Sequence, residues 1–226
     1  MQKSDTKLSD TKLSDTRRSD TKRSDSKHSD SKRSTPVLHS DRLTLRLANE
    51  EDLLSVINFY KNNELHLARS GPLRTASFYT IRHWEKQIIL DREDFFANRS
   101  LRLFLFERDK NDVIGSLNFN AILRGAANFC YIGYGISAAK QGQGLMLEAV
   151  SRALVFAFEE LKLHRVMANY MPTNKRSGAL LAKAGFIEEG FAKDYLCLDG
   201  IWRDHVMTAL NYERWSNLRN QSSSKT

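Results

Sequence analysis

The sequence predicts an α/β fold: a mixed, mostly antiparallel sheet with helices on both faces, preceded by a disordered repeat tail. Three observations lead there. Apolar residues alternate with period two in several stretches, as in Leu43, Leu45 and Leu47. Between such stretches the spacing lengthens to the helical pattern, as in Val150, Ala153, Leu154, Ala157 and Leu161. The first 35 residues follow neither period.

Those residues repeat a pentapeptide. It reads SDTKL from Ser4 and Ser9, SDTRR from Ser14, SDTKR from Ser19, SDSKH from Ser24 and SDSKR from Ser29. Apart from Met1, its only apolar residues are Leu8 and Leu13. Nothing in it offsets the entropy of ordering a chain, so residues 1–35 are expected to be disordered. Two roles are open for the tail: a spacer, or a basic arm making weak contact with RNA or the ribosome. Thr35-Pro36 marks the change in composition. The folded domain is expected over residues 36–215, and residues 216–226, ending in Asn-Gln-Ser-Ser-Ser-Lys-Thr, are expected to fray.

Within the domain, Leu43–Leu47 reads as a half-buried strand. Asn49-Glu50-Glu51-Asp52 then opens a helix, with Leu53, Val56, Ile57 and Tyr60 at helical spacing. Gly71-Pro72 breaks the chain, and a second helix is expected from Phe78 to Phe96, with Ile81, Trp84 and Ile88, and Phe95 beside them, on one side. Leu101–Phe106, Val113–Asn120 and Asn128–Ile136 read as a meander of short-linked strands. A long helix follows Gly144, then a strand at Arg165–Met171 and a helix from about Asn174 to Ala184, stopped by Gly185. Phe186–Leu198 and Ile201–Asn211 form a closing hairpin turned at Asp199-Gly200. The order β-α-α-β-β-β-α-β-α-β-β is that of a mixed sheet with helices packed on it.

The composition supports one domain. Of 226 residues 41% are hydrophobic, enough for a core, and no apolar run approaches the ~20 residues of a membrane helix. No apolar stretch of signal-peptide type opens the chain. With only Cys130 and Cys197, a disulfide scaffold and a Cys-rich zinc module are excluded, and a cytoplasmic setting is expected. The net charge is +8. The tail carries ten Lys and Arg against six Asp, a net of +4, so the domain is only mildly basic.

Two loci could carry chemistry. Gln141-Gly142-Gln143-Gly144 lies between a strand and a long helix, where glycines admit close backbone approach and free N–H groups can hold a pyrophosphate. No Lys-Ser or Lys-Thr follows Gly144, so it is not a P-loop, and no third glycine makes it a dinucleotide fingerprint. The second locus, Asn174-Lys175-Arg176-Ser177, begins a helix. Asn174 suits an N-cap there and the basic residues could simply be solvated. No His, Cys and Glu cluster has metal spacing, so no metal is expected.

Taken together, strand, glycine loop, long helix, strand, Asn-x-x-Ser helix and Gly-Phe resemble the GCN5-related N-acetyltransferase (GNAT) superfamily over residues 38–212. Within it the chain is most similar to the RimJ-type ribosomal-protein alanine N-acetyltransferases. The stretches Gln141–Ala149, His164–Pro172, Asn174–Gly178, Ala192–Leu196 and Trp202–His205 carry that likeness. Met146 stands where the superfamily pattern has Gly or Ala.

The resemblance implies a GNAT-like sheet and acetyl-CoA as co-substrate. Its pyrophosphate would lie on the amides of Gln141, Gly142, Gln143, Gly144, Leu145 and Met146. Its pantetheine would pair with a strand splayed at Tyr134–Ser137, where a bulge would suit Gly133 and Gly135. Ile136 and Ser137 would contact the donor, the N–H near Ile136 meeting the thioester oxygen, and Asn174 would close the other wall. Lys140, Lys175 and Arg176 could meet the phosphates. The acceptor would be the N-terminal alanine of a small-subunit ribosomal protein. Such an α-amine, with a pKa of ~7.7–8.0, needs less help from a base than a Lys amine at ~10.4. Asp194 is the first candidate base, with Glu189 behind it, and Ser177 or Tyr170 could protonate the departing thiolate. Each of these could instead be a surface or packing residue. Trp202, Arg203 and Asp204 could line the acceptor groove. His164 and His205 are read as structural, and Trp84 and Trp215 as packing. A small amine such as a polyamine or aminoglycoside, and a noncatalytic RNA-binding or ribosome-assembly role, are the alternatives.

Overall fold

The structure, a computed structural model, describes residues 34–223. The repeat lies outside the described residues up to residue 33, and so does the expectation attached to it. The chain runs β1 (Val37–His39), β2 (Leu43–Arg46), α1 (Leu53–Asn62), α2 (Glu64–Ala68), α3 (Ile81–Phe96), β3 (Leu101–Glu107), β4 (Val113–Leu123) and β5 (Phe129–Ile136). It continues as α4 (Leu145–Val155), β6 (Arg165–Tyr170), α5 (Lys175–Lys183), β7 (Ile187–Leu198), β8 (Ile201–Asn211) and α6 (Tyr212–Ser223). The eight strands form one sheet in the order β1-β2-β3-β4-β5-β6-β8-β7. Every pair is antiparallel except β5 with β6.

The sheet is buried on two sides by different helices. One face packs α4 and α5 against Leu101, Leu103, Leu105, Leu117, Phe119, Val166 and Ala168. The other packs α1 and α3 against Phe104, Phe106 and Val113. This explains the wholly apolar end of β3: Leu103 to Phe106 serve both cores, so alternation distinguishes the faces without making either polar. On the second face the rings of Tyr60 and Trp84 stack at 5.2 Å. Trp84 and Trp215 are both buried, the packing role expected of them.

Several elements differ from the expected order. β1 is too short for a periodicity signal. α2 is a second short helix directly after α1. The helix expected from Phe78 begins at Ile81, after a 3₁₀ turn at Ala76–Tyr79, because the Thr80 hydroxyl accepts the His83 N–H at 3.3 Å and caps it. Ile81 is consequently exposed rather than buried. Residues 216–223, expected to fray, continue α6, which Trp215 anchors at 5.1 Å from the Phe158 ring.

The turn into α1 is held by a capping box. The Asn49 carboxamide accepts from Glu51 N–H at 3.0 Å and Asp52 accepts from Asn49 N–H at 2.8 Å. Buried Asp52 also takes a two-pronged contact from Arg46, at 2.5 and 2.9 Å. Asp52→Ala removes the box and strands the guanidinium against the Phe106 ring, 4.1 Å away. The expected loss is about 3 kcal/mol, the scale of a broken buried pair, read by urea denaturation.

Candidate functional site

β5 and β6 pair only at Phe129–Arg165, Cys130–Val166 and Tyr131–Met167, and then part. Each keeps its other partner: β5 stays on β4 as far as Ile136 and β6 stays on β8 as far as Tyr170. The sheet is therefore two antiparallel halves joined at one end. Unpaired backbone groups line the gap, ready to receive an extended ligand as if it were a strand. The direction of those groups follows from two contacts. The Ser137 N–H bonds Ile114 O on β4 at 2.8 Å, and the Gly135 carbonyl points at Gly115 of β4. Because backbone groups alternate along a strand, those of Tyr134 and Ile136 face the gap. The bulge expected at Gly133 and Gly135 is absent: the β4–β5 register runs unbroken from Gly115–Ile136 to Asn120–Tyr131. It is the loss of β6, not an extra residue, that frees the backbone.

The gap opens into a cleft of about 1450 Å³. At one end lies the glycine loop. Gly142 and Gly144 have φ of 75° and 76°, and Gly144 is the residue before α4. No side chain caps that helix, so its first-turn N–H groups stay available to an anion. A carboxylate in this turn, Glu148, would repel one. It is neutralised from behind. It accepts from Ser40 Oγ and Arg42 N–H at 2.8 Å each and from Arg42 Nε at 2.7 Å, while Arg42 Nη1 donates to Gln143 O at 3.0 Å. Burial acts to raise the Glu148 pKa, but the bonds from Arg42 and Ser40 outweigh it and hold the carboxyl below its usual range.

Across the cleft, Asn174 caps α5 by accepting Ser177 N–H at 3.2 Å. Arg176 donates to Gln141 Oε1, whose amide nitrogen donates to His66 Nε2 of α2 at 2.8 Å. Deeper in the cleft, the Ser177 and Tyr134 hydroxyls are 2.8 Å apart. Burial pushes the Tyr134 phenol up to about 12, the Ser177 bond opposing. Tyr170 donates to Glu188 at 2.6 Å, a bond that with burial takes its phenol to about 12.

The far end is built on the face away from α4 and α5. Asn169 of β6 donates to the Tyr195 hydroxyl of β7 at 3.3 Å, and its carboxamide oxygen is buried without a partner. The pKa of Tyr195 is raised by burial and by Tyr131, the Asn169 bond opposing. The His205 ring packs 5.6 Å from the Tyr195 ring, and its Nδ1 is 2.9 Å from Arg203 O.

The cleft brings together most residues singled out by sequence. Gln141, Gly142, Gly144, Leu145 and Met146 line it at the loop end, and Ile136, Tyr170, Asn174 and Ser177 along its walls. Ser137 and Gln143 do not. The Ser137 N–H is spent on Ile114, and the Gln143 side chain turns back to Ala139 O at 3.1 Å. Asp194 is also outside the lining. It lies in a bulge between Ala192 and Leu196, at φ 45°, with its N–H on Asp204 Oδ1 at 2.9 Å, so strand alternation does not aim it inward. Glu189 is paired with Arg165 away from the cleft. Lys140 reaches the lining but is bonded to Glu107 at 2.9 Å, and Lys175 does not reach it. Trp202, Arg203 and Asp204 lie outside it, whereas His205 lines it. Sequence reasoning named Tyr134 only as part of the splayed strand and gave no role to Asn169 or Tyr195; alternation would have put the Tyr134 and Asn169 side chains on the sheet faces beside the gap. Among the described residues no group of three or more His, Cys, Asp or Glu is placed to hold a metal, and no helix is long and apolar enough to cross a membrane.

The comparisons with known proteins agree with this geometry. Residues 42–187 match the family model described as an acetyltransferase (GNAT) domain. The chain is 41% identical over 179 residues to the [ribosomal protein uS5]-alanine N-acetyltransferase of Escherichia coli, covering 79% of this chain and 92% of that protein. A ribosomal-protein-S5-alanine acetyltransferase from Vibrio fischeri superposes with a TM-score of 0.75 at 29% identity, over 80% of this chain and 98% of that one. Mycobacterium smegmatis RimJ, solved with a CoA-disulfide, gives 0.73 at 26%, over 79% and 87%. With the splayed strands, the glycine loop and the capped helix arranged around one cleft, the chain belongs to the GNAT family of acetyltransferases.

Proposed function

We propose that this acetyltransferase moves an acetyl group from acetyl-CoA to the N-terminal alanine of a small-subunit ribosomal protein, in the cytoplasm. The observation that carries the reading is the charge of the cleft. Among the described residues its lining includes Arg69, Lys140, Arg176 and Lys183 and no carboxylate. That suits a polyphosphate donor and argues against a polyamine acceptor, which needs acidic partners. The name of the Escherichia coli relative supports the alanine acceptor.

The residues present fit acetyl-CoA. The open first turn of α4 and the loop N–H groups of Gly142 and Gly144 would hold the pyrophosphate, with Arg176 beside them. The gap-facing groups of Tyr134 and Ile136 would pair with the pantetheine amides, and the Ile136 N–H would polarise the carbonyl. Acetyl-CoA supplies the activated thioester. Ser177, hydrogen-bonded to a phenol that keeps its proton, delivers a proton to the departing sulfur. Asn174 fixes Ser177 by capping its turn. The repeat tail keeps both proposed roles, a spacer first and a weak contact with RNA or the ribosome second.

The test is the purified full chain with acetyl-CoA and a panel of acceptors, followed by mass spectrometry. Expected is one acetyl group on the α-amine of Ala-starting peptides, weaker acetylation of Ser-starting ones, and none on spermidine or on a Lys-containing peptide with a blocked N-terminus. Acetylation of spermidine or of Lys alone would overturn the acceptor assignment.

A further inference from the structure

The far end of the cleft holds a histidine to which the family comparison gives no role. An α-ammonium group must lose a proton before its nitrogen can attack, so some lone pair must take it. Among the described residues no carboxylate lines the cleft, Asp194 and Glu189 included. Two histidines do. His66 is at the loop end, its Nε2 occupied by the Gln141 amide at 2.8 Å. His205 is at the other end. Its Nδ1 faces the carbonyl oxygen of Arg203 at 2.9 Å. A carbonyl only accepts, so in the neutral ring Nδ1 carries the hydrogen and Nε2 holds the lone pair.

The surroundings of the ring are those of an acceptor seat. Register puts Tyr131, Met167 and Ala209 in one row across β5, β6 and β8, and two residues along β6, Asn169 pairs with Met207. Alternation then places His205 on that same face of β8. Asn169 has two polar amide atoms: one is bonded to Tyr195, and the other is buried without a partner, whichever way the amide is turned. A buried polar atom without a partner is destabilising, and a bound amine or peptide group would relieve it. The Tyr195 ring of β7 packs on the imidazole; Tyr195 in turn meets Asn169 of β6 and Tyr131 of β5, and Arg203 and Asp204 are the charged residues beside the histidine on its own strand. Asp204 is taken by the Asp194 N–H and, one residue away, belongs to the other face.

We propose that His205 is the catalytic base, accepting at Nε2 the proton of the N-terminal ammonium that Asn169 and Tyr195 help to seat. The inference rests on the N-terminal acceptor proposed above. The ammonium N–H bond breaks and an Nε2–H bond forms, giving an imidazolium that donates from both nitrogens. The freed amine pair forms the new C–N bond and the C–S bond breaks. The nitrogen's second proton balances the one Ser177 delivers to sulfur, and His205 returns the first to solvent. No oxidant or further reactant is needed.

The experiment is a pH–rate profile of full-length wild type and His205→Gln on an Ala-starting peptide, with acetyl-CoA affinity by calorimetry. Expected is a kcat lower by about 10²-fold near pH 7, an unchanged acetyl-CoA affinity, and a deficit that shrinks as pH passes the α-amine pKa of ~8. A wild-type kcat in the variant, or a loss equal at every pH, would overturn the role. Should the variant not fold, wild type is treated with diethyl pyrocarbonate, which attacks unprotonated imidazole nitrogen. His205 should be modified, and acceptor peptide should protect it; an unmodified His205 would also overturn the role. Absence of wild-type activity on any α-amine would instead sink the acceptor assignment on which the inference rests.

Discussion

Gly144→Val should weaken acetyl-CoA binding by at least about tenfold while the protein stays folded. The reason is conformational rather than steric crowding. A Cβ on Gly144 would find only the Arg42 guanidinium, at an ordinary 3.6 Å. Its φ of 76°, however, is left-handed, a region that costs an L-residue roughly 1–2 kcal/mol and a β-branched one more. A valine escapes by turning the peptide plane, and that turns N–H groups away from the place a pyrophosphate would occupy. At about 1.4 kcal/mol per factor of ten, the strain alone accounts for the lower bound. Calorimetry on the folded variant decides the matter, and an unchanged affinity would remove the loop from the donor site.

Ser177→Ala and Tyr134→Phe should each lower kcat by about 10²-fold, the usual scale of general-acid assistance, with little change in the KM for acetyl-CoA. The two hydroxyls are 2.8 Å apart and, in the role proposed for Ser177, would act as one donor chain, so the double variant should lose hardly more than either single one. The pH dependence has a definite sign. The Tyr134 phenol is pushed up to about 12, so its protonated, active form persists through the whole neutral and mildly alkaline range. Wild-type activity should show no alkaline decline from this group below about pH 10. Steady-state kinetics of the three variants from pH 6 to 10 is the measurement. Additive losses would mean that the two hydroxyls work separately.

What was legible in the sequence was whatever local chemistry determines. The glycine loop and the Asn174 cap are written in consecutive residues, and the structure shows a left-handed turn and a capped helix there. The meander from β3 to β5 follows from period two. The missed elements lack such signals: β1 has three residues, and α6 depends largely on one buried Trp215 in a polar segment. The end of the cleft proposed for catalysis was the least legible. Tyr134 looks like any strand tyrosine until α5 sets Ser177 beside it across 43 residues of sequence. Asp194 was singled out because it lies in the stretch Ala192–Leu196, and nothing local there announces the bulge in β7 that leaves it outside the cleft lining. His205 was read as structural because nothing in Trp202-Arg203-Asp204-His205 reveals that only its last residue reaches the cleft.

The knot of bonds around Glu148 also couples two distant parts of the chain. Ser40 and Arg42, in the turn between β1 and β2, share one carboxylate with the first turn of α4, and the same guanidinium holds the loop carbonyl of Gln143. The turn cannot open without releasing the loop. Anything bound to the loop must therefore be shed, or its affinity lost, whenever the turn unfolds locally. By linkage, ligand at a hundred times its dissociation constant adds about 2.7 kcal/mol to that opening. Slowed amide exchange at Arg42 and Leu43, far along the sequence from any residue that touches ligand, would be the visible sign. The first hairpin of the domain thus shares its local stability with the glycine loop before α4.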